Sequence, residues 1–111
     1  MNMTQEELDQ IIERHQHWLK EDCEGWKDMR AYLGGANLDG ASLDGASLHG
    51  AYLDCASLNF AYLAHANLQD ANLHGAILYH ANLQDANLDG ANLHGAYLDK
   101  EEKNRLGQIL K

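Results

Sequence analysis

Residues 31–100 read AYLGG ANLDG ASLDG ASLHG AYLDC ASLNF AYLAH ANLQD ANLHG AILYH ANLQD ANLDG ANLHG AYLDK, fourteen unbroken five-residue units with Ala first and Leu third in each. Internal repetition outranks local propensity in deciding a fold, and a period of five suits neither regular element. On a helix the Ala and Leu of two successive units fall at about 0°, 200°, 140° and 340°, scattered around the axis. On a strand the side chains alternate, so each odd step of five moves the apolar pair to the opposite face. A chain that bends inward once per unit satisfies the pattern, with Ala and Leu on a common axis and the other three side chains outside. Such a chain coils, and stacked coils can satisfy each other's backbone as parallel strands do, about 4.8 Å apart. The sequence has no proline to delete a ladder donor. Glycine at the fifth place, as at Gly40, Gly45, Gly50 and Gly90, supplies freedom at the bends.

The units Ala36–Gly40 and Ala86–Gly90 (Ala-Asn-Leu-Asp-Gly), Ala66–Asp70 and Ala81–Asp85 (Ala-Asn-Leu-Gln-Asp), and Ala71–Gly75 and Ala91–Gly95 (Ala-Asn-Leu-His-Gly) resemble the pentapeptide repeat family, and the resemblance covers residues 31–100. It implies an all-β solenoid, a right-handed quadrilateral β-helix with four units and twenty residues per coil. Periodicity alone gives only a coil. Fourteen units at four per coil make 3.5 coils, or about 17 Å of axis at the parallel-strand spacing. The axis is then filled by a leucine column from Leu33 to Leu98 and an alanine column from Ala31 to Ala96.

An open coil exposes unpaired backbone at both ends, so solenoids need caps. Residues 1–30 read as an N-terminal helical cap, residues 31–100 as the β-helix and residues 101–111 as a C-terminal cap helix, together one domain. Thr4 with Glu7 makes a capping-box pattern, and Leu8, Ile11, Ile12, His15, Trp18 and Leu19 follow at helical spacing, predicting an amphipathic helix from about 5 to 20. Trp26 and Met29 are expected to complete the lid. Asp99 with Glu102 starts a short helix whose Leu106, Ile109 and Leu110 either cover the last coil or meet a second subunit. The chain is accordingly a monomer or a homodimer joined at its C-terminal end.

Seventeen acidic against eight basic side chains give a formal charge of −9, which repels phosphates and anionic membranes and speaks against direct nucleic-acid or membrane binding. Cys23 and Cys55 lack metal or redox spacing and read as reduced thiols. The first thirty residues carry neither a signal-peptide core nor a membrane span, so a cytoplasmic location is expected. P-loop, dinucleotide, zinc-protease, paired-cysteine and nucleophile-elbow patterns are all missing from the sequence. No cofactor and no enzyme activity are expected. His15 and His17, two apart on a helix, do not share a face and read as cap or solvated residues.

With a twenty-residue coil, residues twenty apart stack on one face. Asp54, His74 and His94 then form an outward column that could hold a transition metal or sense pH. A flat ladder, however, points its side chains in parallel, and a solvated polar ladder is the blander reading. Phe60, Ile77, Tyr79 and Tyr97 fall on one face as an apolar patch, read either as a partner contact or as local stacking. Tyr32 and Tyr52 form a smaller pair one face away, expected under the N-terminal helix. The resemblance also implies a second function, since some members of the family imitate duplex DNA and inhibit DNA gyrase. Here Asp39, Asp44, Asp54, Asp70, Asp85, Asp89 and Asp99 are spread over four faces and not gathered in two phosphate-like stripes. The sequence therefore reads as a non-enzymatic scaffold that binds another protein of unknown identity. A gyrase-directed DNA mimic is the alternative, and a metal-binding protein or enzyme stands behind both.

Overall fold

The computed structural model describes residues 3–109. Helix α1 (Gln5–Lys20) leads through a 3₁₀ turn (Trp26–Asp28) into the repeats, and helix α2 (Lys100–Ile109) follows them. Between the helices, ten parallel bridges join residues twenty apart, from Tyr32 with Tyr52 and Asn37 with Ser57 to Asn72 with Asn92 and Ile77 with Tyr97. Four units thus complete one coil. Each coil has four faces, beginning at Ala31, Ala36, Ala41 and Ala46 in the first turn.

Adjacent coils meet through one bridge residue per side, the second of each unit, in place of the strand ladders expected from sequence. The reason is the turn at the fourth and fifth places of every unit but the last, which leaves too little extended chain for a strand. Backbone pairing is nevertheless dense. Leu33 N–H donates to Tyr52 C=O (2.7 Å), Tyr52 N–H donates back to Ala31 C=O (3.0 Å), and Gly35 N–H donates to Asp54 C=O (2.8 Å). From one unit to the next, Ala36 N–H closes the turn on Leu33 C=O (3.1 Å). The leucine column fills the axis, with Leu48, Leu53, Leu58 and Leu73 fully buried. Leu93, in the last coil, is only partly buried.

The fifth place of each turn lies in the left-handed region, with φ near +70° at Gly40 and Gly45. Glycine is not obligatory there. Cys55, Phe60, His65, Asp70, His80 and Asp85 take the same conformation, with φ between 58° and 62°. Six side chains therefore carry a strain that glycine avoids.

In eight units the amide of the fourth place draws its acceptor from one of two sources. Where Asn stands second, its Oδ1 accepts from the N–H two residues on, as Asn67 does from Gln69 and Asn82 from Gln84 (both 3.0 Å). Two units without that Asn use an Asp from the coil below. Asp39 accepts from Asn59 N–H (2.9 Å) and from the Ser57 hydroxyl, and Asp44 accepts from Ala64 N–H (3.0 Å). Much of the Asn and Asp content is thus backbone satisfaction.

Helix α1 begins at the expected capping box. Thr4 Oγ1 accepts from Glu7 N–H, while Thr4 N–H and its hydroxyl donate to the Glu7 carboxylate and hold it below the usual carboxylate range. The helix buries Leu8 and His15 against the first coil, with Met3, Ile11 and Ile12 packed beside them. Trp26 and Met29 are only half-buried and lie outside this packing. Polar side chains do the rest of the capping. The Gln5 carboxamide donates to Ser42 C=O and accepts from Ser42 N–H, 2.9 Å each way, occupying the place of a missing coil. Gln16 donates to Ser47 C=O (3.1 Å), and Arg30 Nε donates to Gly50 C=O (2.7 Å). His15, fully buried, accepts from Ala31 N–H at Nδ1 (2.9 Å) and lies 2.8 Å from His49 C=O at Nε2.

At the other end α2 turns Leu106 into the core, 3% exposed. Leu106 therefore covers its own last coil; the Ile109 side chain and Leu110 lie outside the described residues. Asp99 directs its carboxylate back to the coil, accepting from His80 N–H (2.7 Å), while Glu102 pairs with Arg105 (2.6 Å). Among the described residues no helix is long and apolar enough to cross a membrane.

Candidate interaction surface

The second face changes character along the rod. Its second-place column runs Asn37, Ser57, Ile77, Tyr97, its fourth-place column Asp39, Asn59, Tyr79, Asp99, and its fifth-place column Gly40, Phe60, His80, Lys100. The beginning is small and polar, and the end is aromatic. Phe60, Tyr79 and Tyr97 are 63%, 42% and 51% exposed, and Ile77 is half-buried between the bridges to Ser57 and Tyr97.

The patch is built from two ring pairs. Tyr79 and Tyr97 meet at 6.2 Å with a 49° tilt, and Phe60 stacks on His80 at 4.8 Å and 23°. His80 is held in turn by Asp99, which accepts its backbone N–H and lies 3.7 Å from its Nδ1. A shallow hollow of about 350 Å³, lined by His80, Asp99, Lys100 and Glu101, borders the aromatic region with charge. Phe60 has φ 61°, a backbone in which a bulky L-residue is disfavoured.

The column suggested for a metal stands on the first face. His74 and His94 stack flat at 5.5 Å and 17°. The Asp54 carboxylate leans over Gly34, where a Cβ would stand 3.0 Å from its Oδ1. The three side chains share a column without sharing a focus. Among the described residues, the group of three whose ligand atoms all lie within 4.8 Å of one another is His17, Asp22 and Cys23. His17 Nδ1 lies 2.7 Å from Asp22 Oδ1, and this contact holds the Asp22 carboxyl below its ordinary range.

Tyr32 and Tyr52 stack at 4.9 Å and 12°. Only Tyr52 is covered, and not as expected by the helix alone: the Arg30 guanidinium lies between its ring (4.3 Å) and that of Trp18 (4.6 Å), while Tyr32 stays 67% exposed. Tyr62 on the third face, 53% exposed, escaped the sequence reading because its second-place neighbours Ser42 and Asn82 are polar. Five of the seven acidic side chains along the rod have a partner. Asp39, Asp44 and Asp99 hold backbone amides, and Asp70 and Asp85 stand 3.7 and 3.8 Å from His49 and His65.

The pentapeptide repeats family model matches residues 31–70 and 66–100 with eight copies. The chain belongs to the pentapeptide repeat family. Among solved structures it is similar to the pentapeptide repeat protein Rfr23 from the cyanobacterium Cyanothece 51142 (41% identity, TM-score 0.60, covering 62% of this chain and 48% of that one). It is also similar to a pentapeptide repeat protein of the Arabidopsis thaliana thylakoid lumen (30% identity, TM-score 0.58, 60% and 46% covered). QnrB1, a plasmid-mediated fluoroquinolone resistance protein, shares the fold at 23% identity and TM-score 0.62, with 73% and 38% covered. The chain spans less than half the length of each of these three. No curated protein matches. Against a pentapeptide repeat scaffold, in which first and third places build the rod, the outward places at 60, 77, 79 and 97 are among those where this member differs from its own consensus.

Proposed function

We propose that this pentapeptide repeat protein is a non-enzymatic, right-handed quadrilateral β-helix that binds another protein through the C-terminal half of its second face. The observation that carries the reading is Phe60. A large aromatic side chain occupies a left-handed corner where glycine is the commoner and less strained occupant, and it stays 63% exposed. Strained and exposed apolar residues cluster where function requires them. Tyr79 and Tyr97 beside it are of the residue type enriched at interface cores, and the charges of Asp99, Lys100 and Glu101 supply a polar rim. The free thiols of Cys23 and Cys55 fit a reducing cytoplasm.

The DNA-mimic reading draws on the charge of −9 and the fold shared with QnrB1. It has less support, because Asp39, Asp44 and Asp99, three of the seven carboxylates along the rod, accept backbone amides of an adjacent coil and are not free to imitate phosphates. Affinity capture from the native cell, compared with the Phe60→Ser, Ile77→Ser double variant, tests the first reading. A partner lost with the double variant is expected, and capture unchanged by it overturns the proposal. Inhibition of gyrase supercoiling by the wild-type chain is the outcome that favours the mimic. Light scattering decides between a monomer and a dimer joined through α2.

A further inference from the structure

We propose that His17, Asp22 and Cys23 form a binding site for a zinc-class transition-metal ion at the C-terminal end of α1. Glu21 ends the helix in the left-handed conformation (φ 54°, ψ 41°), with its N–H on His17 C=O at 2.8 Å. That turn carries Asp22 and Cys23 back alongside the last helical turn, so that a nitrogen, an oxygen and a sulfur donor lie within 4.8 Å of one another. These are the donors zinc takes, and three protein ligands plus water is the coordination of an open zinc site. The set was not legible from spacing, because the reversal at Glu21 joins residues that otherwise lack a metal-binding pattern.

A tetrahedral ion with bonds of about 2.0–2.3 Å holds its ligand atoms roughly 3.3–3.8 Å apart. The 2.7 Å contact between His17 and Asp22 opens by about 0.7 Å to admit it, and Cys23 closes from no more than 4.8 Å. Both are side-chain rotations. Cys23 is half-buried, and a second soft donor lies behind it, Met29 Sδ at 3.8 Å from its Sγ. An open hollow of about 550 Å³ leads to Cys23, its lining carrying Glu21, Glu24 and Asp28 against the single cation Lys27. The field there favours a dication. Bound metal ties the end of α1 to the segment that enters the first coil, and so holds the cap whose Gln5, His15 and Gln16 satisfy the rod's open backbone.

Zinc titrated into the full chain against a chromogenic chelator is expected to bind one-to-one with a Kd on the order of micromolar or tighter. Cobalt in its place is expected to give a thiolate-to-metal charge-transfer band. Cys23→Ser and His17→Gln each lose that band and weaken zinc binding beyond the roughly 100-fold of outer-sphere changes. Cys55→Ser and the His74→Gln, His94→Gln pair leave both unchanged. Melting curves without metal check that the variants fold, and protection of wild-type Cys23 from alkylation by zinc supplies a readout independent of them. Binding weaker than about 10 µM, a band that survives Cys23→Ser, or zinc that leaves alkylation of Cys23 unaltered overturns the site.

Discussion

Ala31 donates its backbone N–H to Nδ1 of His15 across 2.9 Å, which makes that nitrogen an acceptor and leaves Nε2 to donate to His49 C=O at 2.8 Å. The bond from Ala31 requires the neutral ring, because a protonated Nδ1 has no lone pair to accept with. Burial first, then the charges of Arg30 and His49, pushes the imidazole below its ordinary value of 6.5, although the bond to His49 C=O opposes the shift. Above pH 6.5 folded and unfolded chains are both neutral at this residue and the cap is intact. As the pH falls below 6.5 the unfolded chain takes a proton that the folded chain refuses, and stability is lost until the lowered folded value is passed. Urea unfolding between pH 7.5 and 4.5 is expected to show this slope in wild type and a shallower one in His15→Gln. Equal slopes would rule out His15 as the source.

Phe60→Gly and Phe60→Ala both remove the ring from His80, but only glycine relieves the left-handed backbone. The glycine variant is therefore expected to be about 1 kcal/mol more stable than the alanine variant. Chemical denaturation of the pair measures the difference, and the reverse order would show that the corner carries no strain.

Asp44→Ala removes the acceptor of Ala64 N–H and is expected to cost about 0.5–1.5 kcal/mol. Tyr62→Asn places an Asn two residues before Ala64, where six units already use one for the same amide. In that background Asp44→Ala should cost less, and a double-mutant cycle reads the coupling. Strict additivity would refute the exchange of acceptors.

Gln5→Ala should raise the exchange rate of Ser42 N–H with solvent, since no coil lies below to replace the carboxamide. Ser57 N–H, bonded to Ala36 C=O at 2.9 Å, serves as the control and keeps its protection. Equal protection of Ser42 in both proteins contradicts the capping role.

Leu68, 1% exposed at mid-rod, is expected to cost about 2–5 kcal/mol on replacement by alanine. A melting temperature unchanged from wild type would place the side chain outside the axis.

The axis and the start of α1 were legible because Ala and Leu never leave their places and because Thr4 and Glu7 answer each other across one turn. The rest turned on relations that no periodicity encodes. Gln5 and Gln16 gave no signal, since their roles are set by the carbonyls of Ser42 and Ser47 that stand opposite them. Arg30 gave no signal, since its guanidinium is placed by Trp18, which lies on α1, and Tyr52, which lies one coil above. The second face was readable as a column, but the pairing of Phe60 with His80 depends on the corner conformation they share. His17, Asp22 and Cys23 were hidden by the chain reversal at Glu21.

The bridges at a separation of twenty make the location of every outward side chain a matter of arithmetic modulo four units. Duplicating one unit between Phe60 and Ile77 leaves the leucine axis continuous but rotates everything after it by a quarter turn, parting Phe60 from His80. Duplicating four restores every alignment and lengthens the rod by one coil. Variation in copy number therefore acts on such a chain as a dial with four positions: the core tolerates each, and only one in four returns the same surface to a binding partner.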